Sequence, residues 1–118
     1  SASARAPRKE TPMRPALLLA LAVLALPVAA DAGDAEAGRK KANACRTCHG
    51  IDGLAKIPIA PHLAGESEIY LQTQLRAFRS GKRRHEMMSV VAGSLSDEDI
   101  ADLAAWYASI EIEVRPPE

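Results

Sequence analysis

At 118 residues the chain has room for one small domain, and its 15 Lys and Arg balance 15 Asp and Glu to a formal charge of zero. That balance excludes a protein that holds nucleic acid through a broad basic surface. One Trp, two Tyr and one Phe, 3% of the residues, are a thin supply of large side chains for so small an interior.

The chain begins with a pattern typical of targeting. Arg14 precedes the apolar run Ala16–Leu26, Pro27 follows, and small residues stand at Val28-Ala29-Ala30 and Ala30-Asp31-Ala32. A basic start, a short apolar stretch and a small-x-small site predict a secretory signal over residues 1–32. Cleavage after Ala30 and after Ala32 fit equally well, and Met13 would serve as a start, with Ser1–Pro12 an upstream extension. The alternative is a retained anchor, but a spanning helix needs ~20 apolar residues and this run falls short. Ser1–Ala30 carry Arg5, Arg8, Lys9 and Arg14 against Glu10, so their removal turns a net charge of zero into −3. The mature chain is then expected in the periplasm.

A first helix is expected over Gly33–Ala44. Asp34 is a good N-cap, and acids lead while bases follow, the polarity that a helix dipole favours. Gly38 in mid-helix is unfavourable by about 1 kcal/mol relative to Ala, which points to a close crossing with another helix. Next comes Cys45-Arg46-Thr47-Cys48-His49, which contains the only two cysteines. Two cysteines three apart with a histidine directly after is the pattern of covalent c-type haem attachment. Each thiol adds across one vinyl group, and His49 lies where a ring nitrogen can bind the iron. A buried macrocycle would also supply the apolar bulk that the side chains lack.

Ile51–Gly65 contains Gly53, Pro58, Pro61 and Gly65 with no sustained period, and reads as loop. Glu66–Ser80 reads as a second helix, capped by Ser67 and ended by Gly81. Arg76, Arg79, Lys82, Arg83 and Arg84 form a local basic patch around its end. It is equally a solvated helix terminus and a docking rim for an acidic redox partner. His85–Ser94 is expected to be a second loop, carrying Met87 and Met88. The last helix starts at Ser96 with Asp99 three residues on, a capping-box-like pair. Ile100, Leu103, Ala104, Tyr107 and Ile110 keep helical spacing along one face, and Pro116-Pro117 bars any continuation.

The order helix, Cys45-x-x-Cys48-His49-Gly50, Pro61-His62-Leu63-Ala64-Gly65, helix, methionine loop, acidic-capped helix resembles the class I cytochromes c, in particular the small bacterial monohaem kind. The likeness is extended by Leu95-Ser96-Asp97-Glu98-Asp99-Ile100-Ala101-Asp102-Leu103-Ala104-Ala105-Trp106-Tyr107. It implies an all-α cytochrome c fold over residues 33–112, with three main helices and long loops around one haem c, and a tail at 113–118. It implies that the Pro61 carbonyl accepts the second ring N–H of His49, with Ala60 standing where the family often has Gly. It also implies a thioether as sixth ligand: Met88, seven residues before Leu95, is favoured over Met87 by its spacing. His62 and His85 are rival sixth ligands, although His62, in a turn where the family has a variable residue, is better read as a solvated histidine. Gly38 would mark the crossing of first and last helices, against Tyr107 or Trp106.

With both axial positions filled the iron has no open site for substrate, so the expected role is electron transfer between redox protein partners and not bond chemistry. The second reading is a haem subunit of a larger dehydrogenase, such as a sulfide- or thiosulfate-oxidising complex. A dithiol redox protein would set the cysteines at a helix start after a strand, and no strand pattern is present. A zinc site lacks a second, suitably spaced pair of ligands.

Overall fold

The computed structural model describes residues 1–12 and 32–118. Met13, Arg14, the apolar run Ala16–Leu26 and the segment from Pro27 to Asp31 lie outside the described residues. The expected all-α architecture is present: helices joined by irregular segments, with no strand among the described residues. Helix α1 spans Ala35–Lys41, and the Asp34 carboxylate accepts the Glu36 and Ala37 amides at 2.8 and 3.1 Å. A short 3₁₀ turn, Ala42–Ala44, leads into α2, Arg46–His49, so the cysteine motif is itself helical, which the sequence reading did not foresee. Loop residues then run to α3, Glu68–Ser80, which is capped by the Ser67 hydroxyl and closed by Gly81 at φ +83°.

One expectation is corrected at the methionines. Residues 85–94 are not simply loop, because Met88–Gly93 form a short helix, α4. Helix α5 spans Asp97–Ser109 with a full capping box: Ser96 Oγ accepts the Asp99 amide, and the Asp99 carboxylate accepts the Ser96 amide, both at 3.0 Å. It ends one residue short of Ile110, well before the prolines. The Tyr107 carbonyl accepts the Gly65 amide at 2.9 Å, so a tertiary bond takes one of the acceptors at that helix end.

Helices α1 and α5 cross, and α3 packs on both α4 and α5. A Cβ built at Gly38 would overlap the Asp102 carbonyl and stand 2.9 Å from Trp106 Cβ. The close crossing is therefore real, with Trp106 and the Asp102 backbone as its partners. Gly33 makes a second such approach, against Ala101 and Asp102, that the sequence reading missed. Asp102 then ties the crossing together. Its buried carboxylate accepts the Asp34 amide at 2.8 Å and the Lys41 ammonium at 2.6 Å, and Lys41 also reaches Asp99 at 2.9 Å. Lys41 and the Asp34 amide hold the Asp102 carboxyl below the usual carboxylate range.

Alanines make up half of the buried apolar side chains among the described residues. Ala42, Leu71, Leu103, Ala104 and Tyr107 form the buried cluster, and Ile100 is the largest side chain fully enclosed among the described residues.

Candidate functional site

Cys45 ends the 3₁₀ turn and opens α2, which places Cys48 one helical turn along and His49 directly after it. Both thiols are free and half-buried, and His49 is buried. Burial first, and then neighbouring Cys48, push the Cys45 thiol above its ordinary value. A thiol held in its protonated form is poorly suited to dithiol redox exchange, which needs the thiolate.

The three residues line a cavity of about 350 Å³ whose walls also include Pro61, Leu71, Leu75, Phe78, Val91, Leu95 and Leu103. Met87 and Met88 both reach it. Met88 is half-buried, whereas Met87 is 47% exposed. His62 and His85 stand at the same cavity.

Hydrogen bonding separates the three histidines. His49 Nδ1 lies 3.0 Å from the Pro61 carbonyl, which can only accept, so this nitrogen carries the proton and Nε2 keeps its lone pair. His62 and His85 have the opposite arrangement. His62 Nδ1 accepts the Ala55 amide at 2.8 Å, and His85 Nδ1 accepts the Met87 and Met88 amides at 3.2 and 3.3 Å. In a neutral ring each of these two must carry its proton on Nε2. Of the three imidazoles, only that of His49 has an uncommitted nitrogen lone pair. His62, expected to be merely solvated, is exposed but tethered.

Two aromatic side chains of α5 hold the segment that follows the motif. Tyr107 donates its hydroxyl to the Gly50 carbonyl at 2.9 Å in a buried site, and Trp106 Nε1 donates to the Ile51 carbonyl at 2.9 Å. Burial raises the Tyr107 phenol well above its usual value, so it stays neutral and donating. These roles escaped the sequence reading, although the adjacent aromatics on the last helix were the available signal.

The basic patch is only partly free. Arg79 donates to Asp97 at 2.6 Å and to the Leu95 carbonyl at 3.1 Å, and it holds the Asp97 carboxyl below its usual range. Arg83 lies over the Phe78 ring at 4.5 Å, donates to Gln74 at 2.8 Å and lines the cavity, and like Lys82 and Arg84 it is exposed.

The donor set fits a c-type haem. Two half-buried thiols sit one turn apart, one imidazole lone pair is uncommitted, and the surrounding walls are apolar. Comparison with known proteins agrees. The Cytochrome c family model matches residues 35–111. The chain is 48% identical over 83 residues to cytochrome c-554(548) of Halomonas halodenitrificans, covering 68% of this chain and all of that one. It is 36% identical over 111 residues to the thiosulfate dehydrogenase electron acceptor of Thiomonas intermedia, covering 92% of this chain and 50% of that one. The crystal structure of reduced recombinant cytochrome c4 from Pseudomonas stutzeri superposes with a TM-score of 0.64 at 39% identity, covering 68% of this chain and 47% of that one. The chain thus spans about half the length of the cytochromes c4 it matches. Helical architecture, cysteine motif and family match converge: this chain belongs to the cytochrome c family, as a small bacterial c-type cytochrome of electron transfer.

Proposed function

We propose that the chain is an exported single-electron carrier with one haem c, attached through Cys45 and Cys48, ligated by His49 Nε2 and by the Met88 thioether. The observation that carries this reading is the His49 Nδ1–H donation to the Pro61 carbonyl, since it leaves Nε2 as the available donor. When bound, the haem would supply one-electron exchange, held by Cys45, Cys48, His49 and Met88. The chain's own residues do the rest. The Pro61 carbonyl fixes the plane of the His49 ring and raises its basicity. Leu71, Leu75, Phe78, Val91 and Leu103 keep water from the cavity and so limit the reorganisation that accompanies a change of charge. Met88 is the sulfur of choice because it is the less exposed of the pair, and a soft thioether favours the ferrous state. Arg83 lines the cavity, Lys82 and Arg84 adjoin that residue in the sequence, and together they steer an acidic redox partner. Electron transfer to that partner should slow as salt rises; a rate indifferent to ionic strength would remove the docking role.

The deciding experiment is optical. Ferric wild-type protein should show a sulfur-to-iron charge-transfer band that Met88→Ala abolishes, and persistence of the band would exclude Met88. Pyridine haemochrome bands of two thioether links, with an intact mass of one haem on a chain lacking its first thirty or so residues, would support attachment and export. A colourless protein with free thiols would refute both.

A second reading, the haem subunit of a larger dehydrogenase, is favoured by the match to the thiosulfate dehydrogenase electron acceptor. Co-purification with a catalytic chain would support it, whereas elution alone supports the free carrier.

A further inference from the structure

Helix α4 is too short to be stable by itself, and its sequence, Met-Ser-Val-Val-Ala-Gly, offers no ordinary capping residue before it. The hydrogen bonds supply one. The Ser89 amide donates to the His85 carbonyl at 3.0 Å, so the helical turn opens at His85, three residues before Met88. From there the His85 ring folds over the turn, and Nδ1 accepts the Met87 and Met88 amides at 3.2 and 3.3 Å. Ser89 answers in the other direction, its hydroxyl accepting the His85 amide at 3.0 Å. The first turn is closed from both sides, as in a capping box, with imidazole in the place of a hydroxyl or carboxylate.

We propose that His85 is the positioning residue for the sixth ligand. Its imidazole caps the turn that carries Met88 and keeps the thioether seated, and it is not itself a rival for the iron. This rests on the reading of Met88 as ligand. The two claims separate because the cap acts on the backbone of Met88 and the ligand role on its sulfur. Asn accepts amide protons at helix N-caps as readily as any residue, so it should replace the ring; Ala should not.

The test uses the haem-loaded ferric protein and free imidazole as the probe. Imidazole binds only while the thioether is off the iron, so its apparent affinity reports the seated fraction. His85→Ala should bind imidazole about fivefold more tightly than wild type, the equilibrium worth of one N-cap. His85→Asn should return to within twofold of wild type, and Ser89→Ala should shift in the same direction as His85→Ala by a smaller factor. The sulfur-to-iron band should persist in all three variants, because the ligand is unchanged. Equal affinities in wild type, His85→Ala and Ser89→Ala would overturn the positioning role while leaving Met88 as ligand. Loss of the band in Met88→Ala but not in His85→Ala supports the underlying ligand set. A wild-type protein without the band, whose low-spin spectrum collapses only in His85→Ala, would make His85 the ligand and overturn both. Should Ala at position 85 prevent accumulation, the Asn and Ser89 variants carry the comparison.

Discussion

Gly38→Ala offers a sharp test of the helix crossing. In an exposed helix this change would stabilise by about 1 kcal/mol, because Ala has the higher propensity. At Gly38 the new methyl would lie inside the Asp102 carbonyl and 2.9 Å from Trp106 Cβ, and the principal obstacle is backbone, which cannot swing aside. The helices must part by roughly one and a half ångströms to restore ordinary contact, an overpacking strain of about 3 kcal/mol. The same movement stretches the Asp34 amide bond to Asp102, now 2.8 Å, a further loss of about 1 kcal/mol. Set against the propensity gain, the net destabilisation is about 3 kcal/mol, or a fall of roughly 12–24 °C in Tm for a domain of this size. Thermal melts of the haem-loaded variant by circular dichroism measure it. Gly93→Ala is the internal control: that residue closes α4, and a Cβ there meets nothing within 4 Å, so the change should be neutral or slightly stabilising. If the two substitutions shift Tm in the same direction by similar amounts, the close crossing does not constrain the fold.

Three further outcomes are expected. Asp97, Asp99 and Asp102 all have carboxyls held below the usual range, so their contribution is present above the unfolded value near pH ~4 and lost as pH falls through the lower folded values. Denaturant titrations between neutrality and strong acid should show that loss, and Asp102→Asn should make it shallower; an unchanged slope refutes the role of Asp102. Tyr107→Phe leaves the Gly50 carbonyl without its 2.9 Å donor in a buried site and should lower stability by about 1–2 kcal/mol in urea, with no loss meaning that water replaces the hydroxyl. His62→Ala frees the Ala55 amide, whose hydrogen exchange should accelerate several-fold by NMR while the α5 amides keep their rates; equal protection at Ala55 would show the 2.8 Å tether to be dispensable.

The sequence carried the parts of the fold that have local chemistry. Asp34, Ser67 and Ser96 announced three helix starts because each satisfies amides within its own first turn. The Cys45–His49 spacing marked the candidate site because c-type haem attachment would dictate that spacing. What stayed hidden depends on distant partners. Helix α4 was missed because its cap is a histidine, seldom used that way, on a segment too short for a period to show. The bond from the Gly65 amide to the Tyr107 carbonyl near the end of α5 has no local signal, because Gly65 is far away in the chain. Asp102 passed as one more acid in an acidic helix, and only the crossing with α1 reveals its buried pairing with Lys41. The histidines could not be ranked by hydrogen bonding either, since their tautomers are set by contacts with Pro61, Ala55 and the methionine amides.

An interior in which alanines make up half of the buried apolar side chains among the described residues has a consequence for how the molecule comes into being. On the function proposed above, a bound haem would add apolar bulk to that interior, so that acquiring shape and acquiring the prosthetic group would be coupled. Copies that miss attachment would then be looser, and proteases could sort finished molecules from unfinished ones by compactness alone.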